Sequence, residues 1–433
     1  MTSLVNADEG LVSANIFMDD DIYRAELARV FEPSWLFVAH ESELPRPGSF
    51  VTRWMAEDPV IVCRGSDGQI RVLLNTCRHR GRGVCSEDLG QTTQFRCGYH
   101  GWTYNTQGEL VGVPLLDGYQ GRLDQAALGL VQAPRVESTH GLVFASWAES
   151  APPLSDYIGP MSFVFDLLFG RSEGLEVVGP PVRWLIPGNW KLAAANFAGD
   201  GHHIFTTHGF RTALNLETIR GERLSYVLPS DYGHACTLSC WPKGVTDYPY
   251  SRLPEAIWPE LKEHLSEDQL DLLANLAIMV GNIFPNCSFL QTASHLPDEW
   301  GGSPSDPPVS FLTIRQWQPR GANQMEVWSW QLVDRNAPER WKEVSRQCFT
   351  REFGPGGVFE QDDAENWSGI TATLKSPAAK RLTLQYRMGL KMDDAQQWPG
   401  PGTAYFKRSF EEFNERVFYA YWHKLMQAEV PQA

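Results

Sequence analysis

Cysteine is scarce in this chain, with 8 in 433 residues, and the eight are scattered rather than clustered. That density excludes a disulfide framework and points to free or metal-bound thiols in a reducing compartment. Positive charge is also short: 37 Lys and Arg face 52 Asp and Glu, for a net charge of −15. Such a balance argues against nucleic-acid binding and against docking on an anionic membrane. No apolar run approaches the ~18 residues of a membrane span. The longest apolar region, LDLLANLAIMVGNIF, is interrupted by Asn and Gly. The start MTSLVNADEG lacks a basic stretch followed by an apolar one, so no signal peptide is expected. These absences together lead us to expect a cytoplasmic protein.

Aromatic residues, in contrast, are plentiful: 16 Trp and 22 Phe imply a large aromatic interior or an apolar pocket. The length suggests roughly two or three domains. There is no internal repeat. Residues 20–32, DDIYRAELARVFE, have helical periodicity, with Ile22, Leu27, Val30 and Phe31 near one face. From there the texture changes. PVIVCRGSDGQIRVLLNTC predicts a strand, a Ser-Asp-Gly turn and a second strand. Short strands with Gly turns continue to LVFASW, so 38–152 reads as a small all-β domain, preceded by an N-terminal segment, 1–37. Beyond 153 the signals mix. NWKLAAANFAGDGHHIFTTH predicts a helix. HACTLSCW, VSFLTIRQW and QMEVWSWQLV predict antiparallel strands, and GTAYFKRSFEEFNERVFYAYWHKLMQ a long C-terminal helix. Strands and helices do not alternate as βαβ units, so the fold class is α+β.

Residues 76–100, TCRHRGRGVCSEDLGQTTQFRCGYH, hold two Cys–His pairs, Cys77 with His79 and Cys97 with His100. Two thiolates and two imidazoles suit a Zn²⁺ site or a [2Fe–2S] cluster in which His₂ replaces Cys₂ on one iron. Zinc fingers place their Cys pair together and then their His pair; here each loop supplies one of each. Two such loops suit a two-iron cluster. The pattern C-x-H-x₁₇-C-x₂-H, followed by GWTYNTQGEL, resembles the Rieske [2Fe–2S] motif at every ligand position. Some Rieske proteins link their loops by a disulfide; the second loop here has no spare Cys, so Cys85 reads as a plain small residue. The resemblance implies a cluster of the lower-potential kind found in oxygenase systems. Arg78, Arg80, Arg82 and Arg96 surround the ligands. They read either as solvated loop charge or as a basic collar for an electron donor.

A second constellation runs from Asn196 to His208, NFAGDGHHIFTTH. Three of the chain's 11 His fall within seven residues here. A five-residue step turns about 140° on a continuous α-helix. For His203 and His208 to meet one ion, the helix must therefore break, and Thr206–Thr207 is the expected place. A carboxylate from FEQDDAENW, 359–367, would complete a 2-His-1-carboxylate triad of the non-haem iron kind.

Across almost the whole chain, the sequence resembles the large (α) subunits of Rieske non-haem iron ring-hydroxylating oxygenases. NWK at 189–191, N-F-x-G-D-x-x-H-x₄-H, FPN at 284–286 and D-D-x-E-N-W carry the likeness. It departs at His202, where Tyr is common, and at Ala195, where Glu is frequent. The resemblance implies a Rieske domain at 38–152 and, at 153–433, a catalytic domain with a curved antiparallel sheet flanked by helices. It implies His203, His208 and Asp363 as iron ligands, with Asp362 the alternative carboxylate, and Asn196 near the metal. It implies that Asp200 accepts a hydrogen bond from His203 and meets His100 of the partner subunit in a head-to-tail homotrimer, α₃ or α₃β₃ with a small β subunit. The implied activity is dioxygenation of an aromatic ring to a cis-dihydrodiol, with NADH electrons delivered by a reductase and usually a ferredoxin. Phe197, Ile204, Phe205, Phe353 and Phe359 flank the ligands as pocket or as core. The rival readings are a Rieske monooxygenase or demethylase, an electron-transfer protein with a vestigial second domain, and a zinc-binding structural protein.

Overall fold

The computed structural model describes residues 4–209, 224–244, 249–296, 300–303, 306–391, 395–406 and 411–428. The chain divides into two compact units, residues 31–154 and residues 1–30 with 155–433. The α+β organisation expected from the sequence is what the structure has.

The 31–154 unit is built from short antiparallel strands. Its largest sheet orders Ile70–Leu74, Asp58–Arg64, Ser49–Met55 and Leu89–Gln91. The hairpin expected around Ser66-Asp67-Gly68 is present, with Val60 opposite Leu74 and Arg64 opposite Ile70. A three-stranded sheet joins Leu110–Gly112, Thr103–Asn105 and Gln94–Arg96. Between the two lies a buried cluster of Phe50, Ile61, Leu73, Phe95, Trp102 and Tyr104, into which Cys77 and Cys97 also pack.

The other unit is organised by a ten-stranded antiparallel sheet. Its central strands, Cys287–Ser294, Val309–Pro319 and Met325–Asp334, pair in long register. Val309–Pro319 is buried at every position after the first. Both faces of the strand are therefore covered. Ile314 lies opposite Phe289, whose ring meets Phe165 and Phe169 of the Ser162–Phe169 helix. On the other face Phe311 meets Phe349 and Phe353, and Trp317 meets Phe197 and Trp367. That second face carries the helices Trp190–Gly199, Glu339–Phe353 and Val358–Leu374.

Residues 1–30 of the N-terminal segment belong to this unit. Leu11–Ser13 pairs with Val5–Asn6 and with Thr383–Gln385. Glu26, fully buried, accepts bonds from Lys191 Nζ, from Trp190 Nε1 at 3.0 Å and from Trp422 Nε1 at 2.9 Å. Lys191 is fully buried as well. Removing either charge alone would strand the other, at a cost of about 3–5 kcal/mol. The pair thus ties the N-terminal segment to the helix that leads into the His-rich stretch.

Two sequence expectations are corrected. The C-terminal helix covers only Phe413–Gln427. Ala404–Phe406, expected in the same helix, is a strand paired with Leu224–Pro229, because an open sheet edge overrides helix propensity. Residues 407–410 lie outside the described residues. The helix expected across 189–208 is the second case: it stops at Gly199, and a separate short turn holds His202–Phe205.

Candidate metal centres

The two Cys–His loops share one backbone design. In the first, Gly81 N–H donates to Cys77 O at 2.9 Å, and Cys77 N–H to Arg82 O at 2.8 Å. In the second, Gly101 N–H donates to Cys97 O at 3.0 Å, and Cys97 N–H to Trp102 O at 2.8 Å. Each turn closes through a left-handed residue, Gly81 at φ 75° and Gly101 at φ 74°, which glycine adopts without strain. Asn75 braces the first loop: its Oδ1 accepts from Val84 N and Cys85 N, and its Nδ2 donates to Cys85 O. All eight cysteines are unpaired, and Cys85 sits in the loop as a side chain braced through its backbone.

His79 Nδ1 and His100 Nδ1 come to 3.1 Å of each other, while Cys77 and Cys97 are buried. Among the described residues, the sets of three or more donors close enough to share one ion do not include these four. Each loop supplies one thiol and one imidazole, and both imidazoles converge on one side, the donor set of a two-iron cluster with His₂ on one iron. Trp102 stacks on His79 at 4.9 Å, and Tyr99 lies over His100 at 3.7 Å. Tyr104 Oη is 3.4 Å from Cys77 Sγ and accepts from Arg78 N at 3.0 Å. Burial and that thiol push the Tyr104 phenol upward, so it stays a hydrogen donor at neutral pH. Arg78, Arg80, Arg82 and Arg96 are all exposed around the loops.

The second site forms where the Trp190–Gly199 helix ends. Gly199 has φ 143°, and a Cβ there would meet Thr237 Oγ1 at 2.3 Å, so the chain turns out of the helix at this point. Asp200 caps the turn that follows: its Oδ1 accepts from His202 N at 3.0 Å and His203 N at 3.3 Å. The α-helix thus ends at Gly199, and the short turn His202–Phe205 that follows ends in its turn at Thr206, where a break between the two histidines is expected. With the helical turn ended between them, both imidazoles face one point. His203 Nε2 and His208 Nε2 are 3.2 Å apart. Asp363 Oδ1, from the Val358–Leu374 helix, lies 3.5 Å from the first and 3.3 Å from the second. These three are brought together as one potential ligand set, with His208 and Asp363 buried. Bonds of about 2.0–2.2 Å from one ion hold such donors about 3.0–3.5 Å apart, so the triangle fits a metal. Mutual separations this short suit three adjacent coordination positions, as a facial triad requires.

The other imidazole nitrogens are also addressed. His203 Nδ1 faces Asp200 Oδ2 and Asn196 Nδ2, each at 3.4 Å. His208 Nδ1 faces Asp362 Oδ2 at 3.5 Å. Each ring therefore presents one nitrogen to the shared point and the other to a carboxylate, the arrangement that orients metal-bound histidines. Burial works to raise the Asp200 carboxyl, but its bonds to His203 and to two backbone N–H groups outweigh this and hold it below the usual range. Burial lowers His203, and Asp200 and Asp363 more than reverse that. His202 points to solvent. Of the expected flanking residues, Phe197 and Phe359 are buried, Phe353 is half-buried, and Ile204 and Phe205 are exposed. Phe359 lies 4.8 Å from His208, edge to face.

Sequence reasoning passed over Asn366, whose Nδ2 donates to Thr207 Oγ1 at 3.3 Å and links the acidic helix to the His-bearing turn. It also passed over Arg315 and Glu360, buried close by. Only their burial as charged residues marks them, and burial is invisible in one sequence.

Residues 34–127 match the Rieske [2Fe-2S] domain family, and residues 166–399 match the ring hydroxylating alpha subunit (catalytic domain) family. The chain belongs to the ring-hydroxylating oxygenase alpha subunits. It is 36% identical to the biphenyl 2,3-dioxygenase subunit alpha of Rhodococcus jostii (strain RHA1), over 98% of this chain and 91% of that one. It is equally 36% identical to the N,N-dimethyl phenylurea N-demethylase subunit alpha of Sphingobium sp. (strain YBL2), over 98% and 93%. Among solved structures, naphthalene 1,2-dioxygenase from Rhodococcus sp. bound to indole superposes with a TM-score of 0.91 at 40% identity, covering 97% of this chain and 95% of that one. Among the described residues, no helix is long and apolar enough to cross a membrane.

Proposed function

We propose that this alpha subunit is the terminal oxygenase of a system that adds both atoms of O₂ to an aromatic ring, giving a cis-dihydrodiol. The observation that carries the reading is the His203–His208–Asp363 triangle, in a chain that also contains a Rieske domain. Cys77, His79, Cys97 and His100 would hold the [2Fe–2S] cluster, and the triangle an Fe(II) ion. Bound there, the iron supplies the site at which O₂ is activated with electrons delivered singly.

The chain's own groups do the rest. Asp200 and Asn196 fix the orientation of His203, and Asp362 that of His208. Phe359, packed on His208 and stacked on Phe353, supplies an aromatic surface beside the site that would help keep water out. Asp200 lies on the rim of the site, and we assign it the bridge to His100 of the partner subunit in a head-to-tail homotrimer. Electrons would come from NADH through a reductase, with a ferredoxin where one is used. The exposed Arg78, Arg80, Arg82 and Arg96 are suited to an acidic donor on an otherwise acidic protein. A small β subunit would complete an α₃β₃ assembly; without it the core is α₃. The domains of this reading are an N-terminal segment 1–37 on the catalytic domain, a Rieske domain 38–152 and a catalytic domain 153–433.

A second reading is favoured by the N-demethylase relative, which is as similar as the biphenyl enzyme. Turnover of biphenyl, naphthalene and an N-methylated phenylurea under ¹⁸O₂, with a reconstituted electron chain, separates the two. We expect a diol carrying two labelled atoms. Formaldehyde release without a diol would install the demethylase reading in its place. No oxygenated product from any of the three would remove the assignment of these substrate classes.

A further inference from the structure

Arg315, on Val309–Pro319, is fully buried, as is its partner Glu360. The guanidinium Nη1 donates to Glu360 Oε2, and Nη2 donates to Phe353 O at 2.7 Å. Glu360 stands three residues before Asp363 in the Val358–Leu374 helix, so the two occupy one helix face, and both are buried. Phe353 is the last residue of the Glu339–Phe353 helix. Its ring stacks on Phe359 at 5.2 Å and 13°, and Phe359 in turn packs edge-on against His208 at 4.8 Å. The guanidinium also lies over the rings of Phe353 at 5.1 Å and Phe197 at 5.2 Å. Phe197 follows Asn196 in the helix that ends at Gly199.

Two routes therefore leave one side chain and reach two of the three donors. One runs through Glu360 to the turn that carries Asp363. The other runs through Phe353 and Phe359 to the ring of His208. Arginine suits this task because its planar fork holds two acceptors at a fixed angle; lysine is a single point charge.

We propose that Arg315 is the positioning residue of the mononuclear site. It locks the acidic helix and the Phe353–Phe359 stack so that Asp363 and His208 present their donor atoms to one ion. The proposal rests on reading the His203–His208–Asp363 triangle as a metal site, and the test keeps the two apart.

Iron beyond the two cluster atoms is measured per chain after equilibration with a graded series of chelators. The Rieske visible spectrum and the thermal midpoint serve as folding controls. Arg315→Lys keeps the charge opposite Glu360 but loses the fork. The double variant Arg315→Met with Glu360→Met removes both charges at similar volume, a change that buried pairs often tolerate. Each should fold, keep its Rieske spectrum and bind Fe(II) roughly 10- to 100-fold more weakly, the loss typical when a ligand-orienting partner is removed. Phe359→Leu leaves the ion pair intact and cuts only the ring contact to His208. It should also weaken iron binding, and it keeps the proposal testable if both charge variants fail to fold. Wild-type iron affinity in any folded member of this set overturns the proposal. Asp363→Ala is the control. If it retains iron at full affinity, the site reading itself fails; if it loses iron while the Arg315 variants keep theirs, only the positioning role fails.

Discussion

Acidification should loosen this fold through one histidine, His234, which lies outside both metal centres. It is fully buried just before the strand Ala235–Cys240. Its Nε2–H donates to Tyr157 O at 2.7 Å, and its Nδ1 accepts from Phe284 N–H at 2.9 Å. The second bond requires the neutral ring, because a protonated Nδ1 would set one donor against another. Burial accordingly pulls the imidazole down from 6.5 to about 4. The unfolded chain binds a proton at about 6.5, the folded chain only near 4. Stability from this group is therefore complete above pH 6.5 and is lost as pH falls from there towards 4. The 2.5-unit gap corresponds to about 3 kcal/mol in total at ~1.36 kcal/mol per unit. Between pH 7.5 and 5.5 the loss is about 1.3 kcal/mol, from the same two values. His234→Gln keeps one donor and one acceptor but cannot titrate. Urea unfolding of both proteins, followed by tryptophan fluorescence at the two pH values, isolates the effect, because every other titrating group is common to both. The wild-type advantage over the variant should shrink by about that amount on acidification. A gap that is the same at both pH values would refute the linkage.

Two further outcomes follow from the site geometry. Asp363→Ala should lose the mononuclear iron while the Rieske visible spectrum persists, and Asp362→Ala should keep iron with roughly 10- to 100-fold weaker binding, as measured by chelator competition; the reverse pattern would move the ligand to Asp362. Asp200→Asn should retain iron, yet its Rieske centre, reduced normally, should fail to reoxidise in a single turnover with substrate and O₂; normal reoxidation would remove the proposed bridge.

What can be read from the sequence follows from how locally each feature is encoded. The Cys–His loops are legible because every donor lies within 24 residues and the closing glycines stand in the same stretch. The class of the large unit is legible too, because its strands carry long aromatic and β-branched runs. The end of the Trp190–Gly199 helix was also encoded, in Gly199 and Gly201, both stop signals. The alanine run before them obscured it. The strand Ala404–Phe406 was obscured in another way: helix-like on its own, it becomes a strand only because Leu224–Pro229 offers a free edge. The division of labour between Asp362 and Asp363 lies beyond sequence altogether. Adjacent carboxylates differ by about 100° around a helix, and only the position of His208 decides which one meets its Nε2 and which its Nδ1. The same holds for Arg315 and Glu360, 45 residues apart with no pattern linking them. Local codes announce the donors. The groups that aim those donors come from wherever the sheet and its helices bring a buried charge within reach, and for that reason they are found only once the fold is known.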